Sequence, residues 1–147
     1  MDFLDGPDRE LWNERSNWIE NLIDDKSNIG GYEVSEQAAA LAMDLQIAYC
    51  AGAWVAVIIL SIAIIDAHLR EIEVPEFQGN TEKLIKEAGL TNELDWLRKR
   101  RNKLIHLKID NPAITVDDQW DKRNLLETEA RKAIELVFDV LFSSSWV

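Results

Sequence analysis

Between residues 45 and 65 the chain carries no charged side chain, and this run constrains the fold more than any other segment. A helix that is apolar all round is either the centre of a globule or a span of a bilayer. Three features favour the globule. An acid stands at each end (Asp44, Asp66), with no Lys or Arg anchor close by. The neighbouring segments are amphipathic and need an apolar surface to cover. Small residues recur along the run (Ala48, Ala51, Gly52, Ala53, Ala56) and permit close helix packing. The expectation is one very long buried helix, capped by Ser35 and reaching about residue 71. Packing it on all sides is easiest in a dimer.

Helical periodicity continues through the remaining sequence, and no segment alternates as a strand does. A first helix is expected over about residues 7–24, with Pro7, Asp8 and Glu10 at its start and an apolar stripe of Leu11, Trp12, Trp18, Ile19, Leu22 and Ile23. Gly30-Gly31 breaks the chain. Pro75 and Gly79 mark a loop, and a short helix over about 81–88 ends at Gly89. Thr91 or Asn92 caps the next helix, which runs to about 107 before Asn111-Pro112 stops it. The last spans about 117–142, with Leu125, Leu126, Ala133, Ile134, Val137, Val140 and Leu141 as its apolar face. The predicted fold is all-α: a helical bundle of four main helices plus one short helix, in a single domain over residues 1–147 with its core at about 7–142. The lone Cys50 reads as a buried thiol. The acidic N-terminus lacks a secretory pattern, so a cytoplasmic protein is expected.

The net charge is −11, which argues against nucleic-acid binding through bulk charge. The charge is unevenly placed, however. Between residues 98 and 108 lie Arg98, Lys99, Arg100, Arg101, Lys103 and Lys108, and all 27 acidic residues lie elsewhere. Such a run is either a solvated helix face or a local site for a phosphate backbone.

Within the island, Arg101-Asn102 is followed by His106. On a helix, Leu94, Leu97, Leu104 and Ile105 share one side, and Arg101 falls in the middle of it. An unpaired buried guanidinium is expensive. Arg101 therefore snorkels out, pairs with an acid, or opens onto a ligand or second subunit. Arg98, Asn102 and His106 form an adjacent polar stripe. Arg101 and His106 diverge by about 140° and about 7.5 Å, so a second copy would help both act on one phosphate. Imidazole exchanges protons near neutral pH and suits transfer from a 2′-hydroxyl or to a leaving 5′-oxygen. Guanidinium groups stabilise charge on phosphate oxygens. Asn102 can orient either partner. This set requires no metal and no cofactor.

These residues resemble the HEPN superfamily, small helical domains with an R-x(4–6)-H motif often carrying Asn after the Arg. The resemblance covers about residues 7–142 and implies an up-and-down bundle and a metal-independent endoribonuclease. It implies a homodimer whose paired Arg101 and His106, assisted by Asn102, make one composite site. There the 2′-hydroxyl attacks the adjacent phosphate and leaves a 2′,3′-cyclic end. Arg98, Lys99, Arg100, Lys103 and Lys108 would hold the RNA. The implied setting is a toxin–antitoxin pair, with an antitoxin protein as partner, or phage defence. One branch carries a tyrosine two positions after the histidine; here that position is Lys108. The competing reading is a non-catalytic module that docks a nucleotide or an acidic protein. A third is a membrane-associated protein. His68 reads as a capping or surface residue. The six tryptophans read as core and interface, with Trp96 beside the basic run and Trp146 in the tail.

Overall fold

The computed structural model describes residues 3–27, 34–90 and 92–143. The expected Gly30-Gly31 break, a Thr91 cap and Trp146 lie outside them. Among the described residues the protein is all-α, with seven helices and no strand. Helix α1 is Arg9–Ser27, and the Asp8 carboxylate caps it by accepting from the Leu11 amide at 2.8 Å. Near its other end Lys26 pairs with Asp139 on the last helix.

The long helix expected from residue 35 is two helices, α2 (Glu36–Ala51) and α3 (Trp54–His68), packed against each other. The Ser35 cap is present, its Oγ accepting from the Ala38 amide at 3.2 Å. The break lies at Gly52, whose φ of 79° is left-handed. The Ala53 amide donates to Ala48 O and the Gly52 amide to Tyr49 O, a paired closure that ends α2 and turns the chain back. Two cations then occupy the negative end of the helix: Arg15 Nη1 donates to Cys50 O (3.2 Å) and Arg123 Nη2 to Gly52 O (2.6 Å). A Cβ at residue 52 would meet these same nitrogens at 3.1 and 3.3 Å. The uncharged run is thus folded into a hairpin. Helices of 16 and 15 residues reach only about 22–24 Å, short of a ~30 Å hydrocarbon core. Among the described residues no helix is long and apolar enough to cross a membrane.

Helix α3 is covered within one chain, by α2, α5 (Asn92–Ile105) and α7 (Arg123–Leu141). Its buried stripe (Trp54, Val57, Ile58, Ile62, Ile64 and Ile65) is thus covered within the chain, whereas Ala56 is exposed and Val55, Ile59 and Leu60 are half-buried. Contrary to the sequence expectation, His68 is fully buried. It follows Ile64 and Ile65 by four and three residues and so continues their buried stripe, with Nε2 3.7 Å from Glu73 Oε1. Beyond it the chain makes a π-helical turn, Leu69–Glu73.

Helix α4 (Thr81–Glu87) ends before Gly89, at φ 70°, as expected. The single C-terminal helix is instead divided into α6 (Val116–Asp121) and α7 at Lys122, whose φ of −116° leaves the helical range. Thr115 and Asp118 form a reciprocal capping box that starts α6 separately, and its backbone bond holds the Asp118 carboxyl below the ordinary value. Leu125, expected in the apolar face, is exposed because it sits one residue, or about 100°, from the buried stripe through Leu126, Ala130, Ala133 and Val137.

The aromatic centre joins four helices. Tyr49 is buried, its ring 5.0 Å from Trp18 and 5.4 Å from Trp54, and its hydroxyl accepts from Arg131 Nε at 2.8 Å. Burial pushes the phenol above its ordinary value, although Arg131 opposes this. Cys50 is buried and unpaired, as read from sequence, and burial likewise raises its thiol. Trp120 is outside the core: it is exposed, against the Phe3 ring at 4.3 Å.

Candidate functional site

The motif lies on the last turns of α5, which stops at Ile105; the His106 amide still donates to Asn102 O at 3.0 Å. The chain then runs irregularly past Asn111-Pro112 to the Thr115 cap. This ending leaves Leu107 and Ile109 as large exposed apolar residues beside the motif.

Ion pairing, local at Asp95 and tertiary at Glu129, divides the basic island in two. Arg98 donates from Nε and Nη2 to Asp95 Oδ1 at 3.1 and 2.8 Å, and lies 4.0 Å from Glu82. Lys99 Nζ is 2.8 Å from the other Asp95 oxygen. Lys99 and Arg98 together hold the Asp95 carboxyl below its ordinary value. Arg100 joins α5 to α7, with Nε donating to Glu129 Oε2 at 2.6 Å and Nη1 to Ala113 O at 3.4 Å. These side chains are only 18% and 17% exposed, so removing one partner would leave the other as a largely buried unpaired charge. Arg101, Lys103, His106 and Lys108 have no ion pair with a described residue.

Asn102, Lys103, His106 and Lys108 come together, with Lys99 and Arg100, along one open groove of about 780 Å³ closed by the segment through Pro112 and Ala113. No Asp or Glu among the described residues lines it. His106 is exposed there. The groove can therefore accept a polyanion and offers an imidazole beside uncommitted ammonium groups.

Arg101 is not in this groove. It lines a pocket of about 560 Å³ between the start of α2, the end of α3, the π turn and the start of α4. Of the three outcomes open to a guanidinium on an apolar side, pairing with a described acid is not the one adopted; the side chain lines a cavity. Its Nε is buried with no acceptor among the described residues, a state that costs about 1–3 kcal/mol. The angular divergence expected on an ideal helix is thus preserved, and Arg101 and His106 serve different openings of one chain.

The neighbours of Arg101 were not read from sequence as site residues. The Asp66–Arg70 pair was legible as an i,i+4 spacing (2.7 Å), but Thr81, donating to Asp66 Oδ2 at 2.8 Å, reaches it only through the fold. No group of three His, Cys, Asp or Glu side chains suited to a metal occurs among the described residues. Trp96 stacks under Lys132, whose Nζ is 4.2 Å from the ring centre. Compared with protein-family models, curated proteins and solved structures, the chain shows no match.

Proposed function

We propose that this protein is a metal-independent endoribonuclease of HEPN type, an up-and-down bundle acting as a homodimer in a toxin–antitoxin pair or in phage defence. One observation carries the reading. On a chain of net charge −11, an exposed His106 stands in a groove that no described acid lines, beside Lys103 and Lys108, which have no acidic partner among the described residues. An RNA strand meets its electrostatic requirement there and at few other places on such a surface.

In this mechanism the His106 imidazole takes the 2′-hydroxyl proton as that oxygen attacks phosphorus. The bond from phosphorus to the 5′-oxygen breaks, the leaving oxygen is protonated by an imidazolium or water, and a 2′,3′-cyclic phosphate remains. Lys103 and Lys108 hold flanking phosphates, and Asn102 orients the imidazole. Arg101 of a second copy supplies the guanidinium that the first copy's own Arg101 directs elsewhere. Arg98, Lys99 and Arg100 contribute field at the rim, since acids already engage them.

The test is cleavage of a labelled mixed-sequence RNA in EDTA. Wild type is expected to cut and leave cyclic-phosphate ends, and His106→Ala and Arg101→Ala to be inactive. Equal cutting by all three would expose a contaminating nuclease. The exposed Leu107 and Ile109 favour a second reading, a docking module for an acidic protein. In that case no RNA is cut, and partner binding survives His106→Ala.

A further inference from the structure

We infer that the cavity at the turn between α2 and α3 binds a small monocarboxylate with a flat apolar body, through Arg123. It shares no lining residue with the His106 groove or the Arg101 pocket, so the inference goes beyond the cleavage reading. Arg15 and Arg123 both close on Gly52, and both lie over the Trp54 ring, at 4.7 and 5.5 Å from its centre. Neither has an ion pair with a described residue, and Arg15 Nε is buried without an acceptor among them. Glu127, whose charge acts on Arg123, is engaged by Arg131 at 3.6 Å. The carbonyl end of α2 supplies only about half a negative charge against the two guanidinium groups. Burial, and after it Arg15, pushes Arg123 below its ordinary value. Like charges pressed together in this way call for an anion that the described residues do not supply.

Arg123 is the group that lines the cavity. Its Nη2 donates to Gly52 O at 2.6 Å and its Nη1 to Gln119 Oε1 at 3.0 Å, which fixes the plane of the guanidinium. No described residue takes its Nε hydrogen or the second hydrogen of either Nη. A planar donor fork held in this way matches a carboxylate. The side chains of Phe3, Trp54, Val55 and Ala56 wall the rest, with Gln119 as the other polar group. Phe3 is held there by the Trp120 ring, and its own ring centre is 5.3 Å from the Arg123 guanidinium carbon. Such a wall takes an aromatic ring. It would leave the further oxygens of a phosphate without donors, and a neutral apolar ligand would leave Arg123 unanswered. The volume of about 370 Å³ is within the range of small-molecule sites.

The experiment is calorimetric titration of the full chain with phenylacetate, phenylacetamide, acetate and inorganic phosphate. Phenylacetate is expected to bind one site per chain. Phenylacetamide keeps the ring and loses the charge; acetate keeps the charge and loses the ring. Each should bind about tenfold or more weakly. Arg123→Met should weaken phenylacetate by a similar factor, with thermal melting showing that the variant folds. Arg123 also holds Gly52, so a second variant is needed in case it does not fold. Ala56→Phe changes an exposed position, keeps both arginines and fills the cavity, and should abolish binding. No phenylacetate binding at about 1 mM, equal binding of the amide, or binding that survives Ala56→Phe overturns the inference. Unchanged binding by a folded Arg123→Met, or tighter binding of phosphate than of phenylacetate, overturns it as well. Failure of the wild type to cut RNA would leave it intact, because binding is read without cleavage.

Discussion

The two halves of α5 hold their cations in opposite ways. In its middle turn Arg98, Lys99 and Arg100 each meet a carboxylate, two of them on Asp95 and the third on Glu129 of α7. From Arg101 onward none does among the described residues, and His106, Lys103 and Lys108 face a groove that no described acid lines. Six basic residues that read as one island are therefore a structural clamp followed by an open site. Ion pairs that fix a helix consume the charge that a ligand would need. A cation without a partner costs the fold something and is available to a ligand.

If the division is real, substitutions in the two halves separate stability from function. The largest effect is expected at His106. Its replacement by Ala should lower RNA cleavage by about a hundredfold or more, with urea stability within about 0.5 kcal/mol of wild type. Comparable loss of both would break the comparison, because His106 would then belong to the clamp.

Glu129→Ala should do the reverse. It leaves Arg100 half-buried and unpaired, and urea unfolding should show a loss of about 1–3 kcal/mol. Cleavage by the folded fraction should persist. An unchanged midpoint would mean that the Arg100–Glu129 pair contributes nothing and that the clamp is only geometric.

Lys103→Ala and Lys108→Ala should each reduce the slope of log RNA affinity against log salt by about one, whereas Lys99→Ala should change it less. Equal changes at all three would erase the distinction between engaged and open cations.

The smallest expected effect is at Asp95. Its folded value is depressed, first by Lys99 and then by Arg98. Its favourable contribution is present above the unfolded value, about 3.9, and fades as pH falls through the lower folded one. Titration of its carboxyl by NMR should place the midpoint below 3.8, rising towards the ordinary value in Lys99→Ala. A midpoint unmoved by that substitution would sink the assignment of its cause.

Much of the fold was legible along the chain. The helical class followed from periodicity, the Ser35 cap and Gly89 stop from local chemistry, and the burial of Cys50 from its apolar surroundings. The break at Gly52 was less so. A lone glycine among helix formers is tolerated in many helices, and here Arg15 and Arg123, distant in sequence, close on the carbonyls that the break exposes. His68 was misread for a related reason: its stripe continues past the end of the uncharged run, where sequence alone suggested a boundary.

By itself, the sequence determined the helices, the apolar hairpin's composition and the motif with its angular divergence, because these depend on residues within a turn or two of each other. Only the tertiary structure decided that Arg100 is engaged by α7, that Arg101 and His106 line separate cavities, and that α2, α5 and α7 of one chain pack on α3. Those outcomes turn on contacts such as Arg100 with Glu129 and Arg131 with Tyr49, whose partners are far apart along the chain. Short-range spacing carries no information about such a pairing; the packing of α3, α5 and α7 supplies it.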